Sequence, residues 1–216
     1  MALVPSLTKF TTAAEVVASY DWLDLTSGLG YRRYYPCSST LSSGKSYFLS
    51  TKVMEAIPMS LTESHVVATT TRESFINLDF DITFNALATI GDGDAFVNLT
   101  HFLGNNCKCV VTINVYHVST ADVETSIGTI DSTIHNTGGG NEYFRESLKV
   151  PLTAKNFSKG EKLRFNVVIF AAPNMGGGTP TVTLYFDPSS IDTVTDGAGD
   201  TRDTDITFDL PFKTNA

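Results

Sequence analysis

The sequence predicts an all-β protein: a single antiparallel β-sandwich of jelly-roll type, preceded by a short N-terminal helical arm. Two observations indicate the sandwich. From Tyr31 onward, apolar and polar residues alternate with a period of two, and turns rich in Gly and Asp separate the alternating segments. The chain also has 216 residues, which suits one sandwich domain, and β-favouring Val, Thr and Phe are plentiful.

The first 20 residues lack this alternation and are predicted to form the arm, with the sandwich covering 21–216. Thr12 and Glu15 have the spacing of a capping box before Val16 and Val17, which indicates a helix of about two turns. A helix this short is not stable alone. We therefore expect the arm to pack on the domain or on a neighbouring molecule.

Strand positions follow from the alternation. The clearest predicted strand covers 75–84, FINLDFDITF, where Ile, Leu and Phe residues alternate with Asn, Asp and Thr. The segment 163–171 is apolar on both faces, which predicts a central strand. The other predicted strands are 47–53, 66–71, 95–102, 110–118, 142–150, 182–186 and 206–212.

Charge and composition exclude several classes of partner. The chain has 15 basic and 23 acidic residues, a formal net charge of −8, and no basic run to neutralise phosphates. We therefore expect neither nucleic acid nor an anionic membrane as partner. No apolar stretch reaches the ~18 residues of a membrane span, and the N-terminus does not resemble a signal peptide.

The three cysteines, Cys37, Cys107 and Cys109, are an odd number and do not form a disulfide framework. Cys107 and Cys109 are separated by one residue, whereas zinc and redox sites use C-x-x-C. On an extended strand both thiols point to one face, where reduced cysteine packs as a small apolar residue. We expect free cysteines and assembly in a reducing compartment.

Asp79 and Asp81 are the strongest candidates for chemistry. On one strand face they would lie about 7 Å apart, a tolerable separation for the two carboxylates of a glycosidase. The outer face of a half-buried strand, however, carries polar residues without any catalytic role. We interpret the pair as a solvent face; a cation site and an interface are two further hypotheses for it.

Other motifs give weaker signals. Asp92 with Asp94, or the acidic run 196–205, could bind calcium, but neither matches the EF-hand loop. Gly44, Lys45 and Ser46 resemble the end of a phosphate-binding loop whose first Gly is missing, so a turn is predicted there. The four histidines show no metal-binding spacing, although convergence in space stays open. The sequence therefore assigns no catalytic, cofactor-binding or metal-binding residue.

The densest aromatic and cationic cluster lies near the start of the sandwich. Exposed Tyr, Trp and Arg residues are typical of protein interfaces and sugar-binding surfaces. Alternatively, this cluster is a strand edge whose tyrosines cap the core. Together with the arm, it gives these candidate interface residues: Val16, Val17, Trp22, Tyr31, Arg32, Arg33 and Tyr34.

Four segments resemble a family of poorly characterised virion structural proteins from tailed bacteriophages. They are 21–31 (DWLDLTSGLGY), 77–85 (NLDFDITFN), 157–165 (FSKGEKLRF) and the ending 187–213. The resemblance implies a particle component without catalytic residues. It leads us to expect a capsid decoration or cement protein, assembled in the host cytoplasm, that binds the major capsid protein and forms a homotrimer. Two further hypotheses are a carbohydrate-binding module of a tail, neck or fibre, and a glycosidase using Asp79 and Asp81.

Overall fold

The computed structural model describes residues 29–41, 44–51, 60–64, 73–104, 107–138, 140–171, 180–186, 193–195, 201–203 and 206–213. The regular secondary structure within these ranges consists of strands. Accordingly, the described residues contain no helix long and apolar enough to cross a membrane. The strands are β1 (Leu29–Leu41), β2 (Gly44–Ser50), β3 (Ser60–Ser64), β4 (Ser74–Thr83), β5 (Ala88–Ile90), β6 (Gly93–Gly104), β7 (Lys108–Val118), β8 (Glu124–Asp131), β9 (His135–Asn136), β10 (Glu142–Leu152), β11 (Lys155–Phe157), β12 (Lys162–Ala171), β13 (Thr181–Tyr185), β14 (Thr193–Thr195), β15 (Thr201–Asp203) and β16 (Thr207–Lys213).

The strands form an all-β sandwich, as the alternation predicts. The first sheet has the order β3-β13-β6-β16-β1, with β10 along the other side of β6. The second sheet has the order β1-β2-β4-β12-β7-β8, and β9 also pairs with β7. Strand β1 belongs to both sheets, because residues 29–34 pair with β16 and residues 35–41 pair with β2.

The two sheets also meet where the edge strand β8 approaches β10. The Thr153 amide donates a hydrogen bond to the Ile127 carbonyl across 2.8 Å. At the neighbouring Gly128, an added Cβ would lie 2.6 Å from Leu152 Cδ2 and 2.7 Å from the Pro151 carbonyl oxygen. A side chain would not fit there, so the seam requires glycine for a close approach of the backbones.

The core lies between the sheets and is rich in phenylalanine. Phe80 is fully buried, and its ring centroid lies 5.7 Å from that of Phe208. Phe165, opposite Phe80 in the β4–β12 register, lies 4.8 Å from Phe208. Ring pairs at these separations add stabilisation beyond the apolar area that they bury.

Most strand predictions are confirmed within a few residues. The segment 75–84 forms β4, where four of the five alternating apolar residues are buried and Ile82 is half-buried. The segment 163–171 forms β12, which lies between β4 and β7 and is therefore central, as predicted.

Four other segments have different outcomes. The turn predicted at Gly44, Lys45 and Ser46 is wrong, because these residues open β2 and pair with the end of β1. The alternation does not predict strand β8, because a single apolar residue of the segment, Ile127, is buried. The predicted arm and the predicted strand 66–71 lie outside the described residues.

Candidate functional site

The candidate interface residues that can be located lie on β1. Tyr31, Arg32, Arg33 and Tyr34 occupy the part of β1 that pairs with β16, just before the strand passes to the second sheet. Tyr31 is half-buried, and its ring centroid lies 5.8 Å from that of Phe96. The remaining candidates lie outside the described residues; they are Val16, Val17 and Trp22.

Tyr34 contributes to the core rather than to the surface. It is 4% exposed, and its ring centroid lies 6.2 Å from that of Phe212. Burial raises the pKa of Tyr34 to about 12, against a smaller opposing effect of the Arg32 charge. The exposed Arg32 places its guanidinium carbon 5.7 Å from the Tyr34 ring centroid, within cation–π range. Tyr34 therefore matches the core-capping hypothesis.

Arg33 joins the two strands that carry the two ends of the described chain. Its Nε and Nη2 atoms donate hydrogen bonds of 2.8 Å each to the two carboxylate oxygens of Asp209. Asp209 lies directly opposite Arg33 in the β1–β16 register. Because 47% of the Arg33 side chain is exposed, solvent screens this pair and its main effect is to fix the register.

An open groove of about 710 Å³ lies beside β1. Its wall includes the exposed cation of Arg32, the ring of Phe48 and the side chain of Leu87. Leu87 is 78% exposed, the largest exposure of a bulky apolar side chain among the described residues. The groove therefore presents both apolar surface and a positive charge to solvent.

Asp79 and Asp81 lie on the outer face of the second sheet, where Arg164 of β12 binds them. Arg164 Nε and Nη2 donate to the two oxygens of Asp81 across 2.7 and 2.8 Å. Its Nη1 lies 2.6 Å from Glu124 Oε1 and 3.2 Å from Asp79 Oδ2. The hydrogen bonds to Asp81 raise the pKa of Arg164 above its already high ordinary value. Three carboxylates thus share one guanidinium.

A chain of amide side chains continues this network across four strands. Asn166 Nδ2 donates to Asn77 Oδ1 across 2.6 Å and to Asp79 Oδ1 across 2.7 Å. Asn166 Oδ1 in turn accepts from Asn114 Nδ2 across 3.0 Å, and Asn114 Oδ1 accepts from the Thr129 hydroxyl across 2.8 Å. The outer face is therefore held together by side-chain bonds from β4 to β8.

The acidic segments considered for calcium have other roles where they are described. Asp92 Oδ1 accepts a hydrogen bond of 2.7 Å from the Ala154 amide. Asp94 forms an ion pair with Lys149, whose Nζ lies 2.8 Å from Oδ2. Of the acidic run 196–205, only 201–203 is described.

A group of ligand-type side chains converges between the sheets: His101 of β6, His135 of β9 and Glu146 of β10. Glu146 Oε1 lies 2.9 Å from His135 Nε2 and 3.4 Å from His101 Nδ1. One nitrogen of each imidazole and a carboxylate oxygen all lie within 4.8 Å of one another. His101 is fully buried, and burial, together with the nearby His135, lowers its pKa to about 3. The imidazole of His101 is therefore neutral at physiological pH.

Phe144 and Cys109 contact this cluster. The Phe144 ring stacks on His101 at 5.4 Å with an interplanar angle of 19°, and lies 4.5 Å from the His135 ring. Cys109 Sγ lies 3.8 Å from His101 Nε2, the ring nitrogen on the other side from Glu146. Cys107 and Cys109 are free and buried, as predicted, and burial raises the pKa of the Cys107 thiol to about 12.

The sequence contains one signal for this cluster. His101 lies on the same face of its strand as the buried Leu99 and Leu103, and Glu146 lies on the same face of its strand as the buried Val150. Polar residues in the inward phase of a strand need a partner, because burial without one is costly. No motif connects the three residues, since they come from three strands.

Comparisons with known proteins support the fold alone. No protein-family model and no curated protein matches the chain. A CocE/NonD family hydrolase from Staphylococcus aureus aligns with a TM-score of 0.51 at 9% identity, covering 83% of this chain and 36% of its own. An aminopeptidase from a marine sediment Thaumarchaeota archaeon aligns with a TM-score of 0.53 at 7% identity, covering 87% of this chain and 37% of its own. An alpha-amino acid ester hydrolase aligns with a TM-score of 0.50 at 12% identity, covering 83% of this chain and 36% of its own.

This chain therefore spans little more than a third of the length of each of these enzymes. Identities this low indicate a shared sandwich and carry no information on catalytic residues. The similarity neither supplies an activity nor contradicts a non-enzymatic role.

Proposed function

We propose that the protein is a non-enzymatic virion structural protein, a decoration or cement protein that binds the major capsid protein on the outside of a phage head as a homotrimer. The observation that carries this proposal is the outer face of the second sheet. There Asp79 and Asp81, the residues best suited to catalysis by sequence, are bound by Arg164 and Asn166. The resemblance of four segments to virion structural proteins supplies the particle context.

The network argues against the glycosidase hypothesis on physical grounds. A glycosidase needs one protonated carboxyl group as acid and a second carboxylate as nucleophile or base. Asp81 instead accepts two hydrogen bonds from a guanidinium, which occupy both of its carboxylate oxygens. Cross-strand bonds of this kind stiffen a sheet, which is the property that a capsid-stabilising protein needs.

The groove beside β1 is the proposed contact surface for the capsid. Protein interfaces are enriched in arginine and aromatic residues and bury apolar side chains at their centre. Arg32, Phe48 and the exposed Leu87 provide these residue types on one surface. The candidate interface on β1 and this groove share Arg32 and Tyr34.

Quantitative mass spectrometry of purified virions tests the placement. A decoration protein is expected at hundreds of copies per particle. A dozen copies or fewer would instead indicate a neck or tail component and would contradict the proposal.

A binding assay tests the contact surface. Particles lacking the protein are mixed with the purified wild-type protein, with Leu87→Asp and with Val123→Asp, and co-sedimentation is measured. Val123 is 61% exposed and does not line the groove, so its variant is the matched control. We expect Leu87→Asp to lose most of the binding and Val123→Asp to retain it; equal retention by both would exclude the groove.

The carbohydrate-binding hypothesis has less support. It requires exposed aromatic rings for stacking on sugars, whereas Tyr34 is buried and Tyr31 packs on Phe96. A broad glycan array is the direct measurement. Specific binding that Arg32→Ala abolishes would favour carbohydrate recognition over decoration.

A further inference from the structure

The cluster of His101, His135 and Glu146 contains buried polar atoms whose bonding is incomplete. His101 Nδ1, His135 Nε2 and Glu146 Oε1 are all buried, and none of them has a hydrogen bond of acceptable direction. The contacts of 2.9 and 3.4 Å bring one carboxylate oxygen close to two ring nitrogens without a hydrogen bond to either. Buried atoms left in this state require a partner, and an ion is one such partner.

The arrangement fits a tetrahedral metal ion. Zinc binds imidazole nitrogen and carboxylate oxygen at about 2.0–2.2 Å, which places neighbouring ligand atoms roughly 3.3 Å apart. Glu146 Oε1 already lies 3.4 Å from His101 Nδ1 and 2.9 Å from His135 Nε2. The three atoms lie within 4.8 Å of one another, so small side-chain adjustments suffice for coordination.

We propose that His101 Nδ1, His135 Nε2 and Glu146 Oε1 bind one divalent transition metal ion of the zinc type, with one coordination position left for water. Two imidazoles and one carboxylate are a ligand set that zinc uses, and imidazole disfavours magnesium and calcium.

Cys109 has a supporting role in this site. Its Sγ lies 3.8 Å from His101 Nε2, the ring nitrogen that would not bind the metal. A metal on Nδ1 leaves the proton on Nε2, directed at the sulfur, and such outer contacts orient a ligating imidazole. Cys109 is therefore a positioning residue and not a ligand.

The metal would connect the two sheets. His101 and Glu146 belong to the paired strands β6 and β10 of the first sheet, where they are diagonal neighbours. His135 belongs to β9, which pairs with β7 of the second sheet, opposite Cys109. Access from solvent is on the His135 side, where 16% of that side chain is exposed, compared with 8% for Glu146.

Metal titration of the full chain tests the proposal. The protein is stripped with a chelator, and Zn²⁺ and then Co²⁺ are added while binding and the thermal midpoint are measured. We expect one ion per chain, a raised midpoint, and a tetrahedral Co²⁺ absorption spectrum without a thiolate charge-transfer band. Mg²⁺ at the same concentration should change nothing.

Variants identify the ligands. His135→Gln and Glu146→Gln should each weaken Zn²⁺ binding at least tenfold, whereas Cys109→Ser should keep the stoichiometry. His117→Gln is the matched control, because the buried His117 places its Nε2 3.0 Å from Oε2 of the half-buried Glu161, and this second His–Glu pair has no third ligand among the described residues. The circular dichroism and thermal midpoint of each metal-free variant verify that it is folded.

Several results would overturn the assignment. No Zn²⁺ binding by the stripped wild-type protein would exclude the site. Unchanged affinity in folded Glu146→Gln and His135→Gln, or an equal loss in His117→Gln, would place the ion elsewhere. A strong thiolate band with Co²⁺ would make Cys109 a ligand and contradict its positioning role.

Discussion

The guanidinium of Arg164 binds the carboxylate of Asp81 through two hydrogen bonds of 2.7 and 2.8 Å, directly across the β12–β4 register. About a fifth of each side chain is exposed, 20% and 22%. This pair is the centre of the polar network on the outer face of the second sheet.

Replacing Arg164 should therefore destabilise the fold more than replacing an exposed arginine. Arg164→Met keeps the apolar stem but leaves Asp81 without its donors, and we expect a loss of about 1–3 kcal/mol in the free energy of unfolding. Arg33→Met, which breaks the more exposed pair with Asp209, is the control and should cost less than about 1 kcal/mol. Urea unfolding of both variants measures the difference; equal losses would contradict the central role of Arg164.

Adding one methyl group at Gly128 should loosen the seam between the sheets. The Cβ of Gly128→Ala would overlap Leu152 Cδ2 and the Pro151 carbonyl, so β8 must shift away from β10, and we expect a cost of about 1–3 kcal/mol. At Gly140 the nearest atom to an added Cβ is 3.6 Å away, which makes Gly140→Ala the control. Thermal unfolding should show a lower midpoint for Gly128→Ala alone, and unchanged midpoints for both would be inconsistent with a tight seam.

The core should be sensitive at Phe80. This fully buried ring contacts Tyr47, Phe186 and Phe208 at centroid distances of 5.7, 6.2 and 5.7 Å. Phe80→Ala leaves a cavity, and we expect a loss of about 3–5 kcal/mol in the free energy of unfolding. The same change at Phe96, which is 38% exposed, should cost clearly less. Denaturant unfolding curves with equal shifts for both variants would argue against a core centred on Phe80.

Tyr34 should contribute to loss of stability at alkaline pH. Because unfolded tyrosine ionises near pH 10.0 and burial raises the pKa of Tyr34 to about 12, the unfolded state loses its proton first. The contribution of Tyr34 is therefore complete below pH 10 and is lost as the pH rises through 12, at up to about 1.4 kcal/mol per pH unit.

The measurement is the free energy of unfolding as a function of pH for the wild-type protein and for Tyr34→Phe. The variant should lose stability less steeply above pH 10, because phenylalanine has no proton to lose. Parallel curves for the two proteins would mean that Tyr34 ionises as freely in the folded state as in the unfolded one.

The predictable part of the fold is the part with a strong two-residue period. Strands β4, β7 and β12 bury one or both faces, so their sequences alternate or become continuously apolar. Strand β8 has little alternation of this kind, because it buries one apolar residue, Ile127. Its close approach to β10 depends on Gly128, which has no side chain to prevent the contact. A seam between two sheets depends on the position of a distant strand, which local periodicity does not encode.

The candidate sites differ in the same way. The alternation of apolar and polar residues along β4 predicts that Asp79 and Asp81 lie on its outer face. Their partner Arg164, however, is specified only by the pairing of β4 with β12. The convergence of His101, His135 and Glu146 depends on three strand pairings and on the packing of one sheet against the other. The inward phase of His101 and Glu146 is visible in the sequence, whereas the proximity of the three residues is not.

The passage of β1 from one sheet to the other has a consequence for synthesis of the protein on the ribosome. Residues 29–34 are among the first described residues to be made, yet their hydrogen-bonding partner is β16, residues 207–213. Contacts this distant in sequence form late and slowly. The first half of β1 therefore lacks this partner until β16 has been translated, and its exposed edge is where a nascent chain would recruit a chaperone or misassociate.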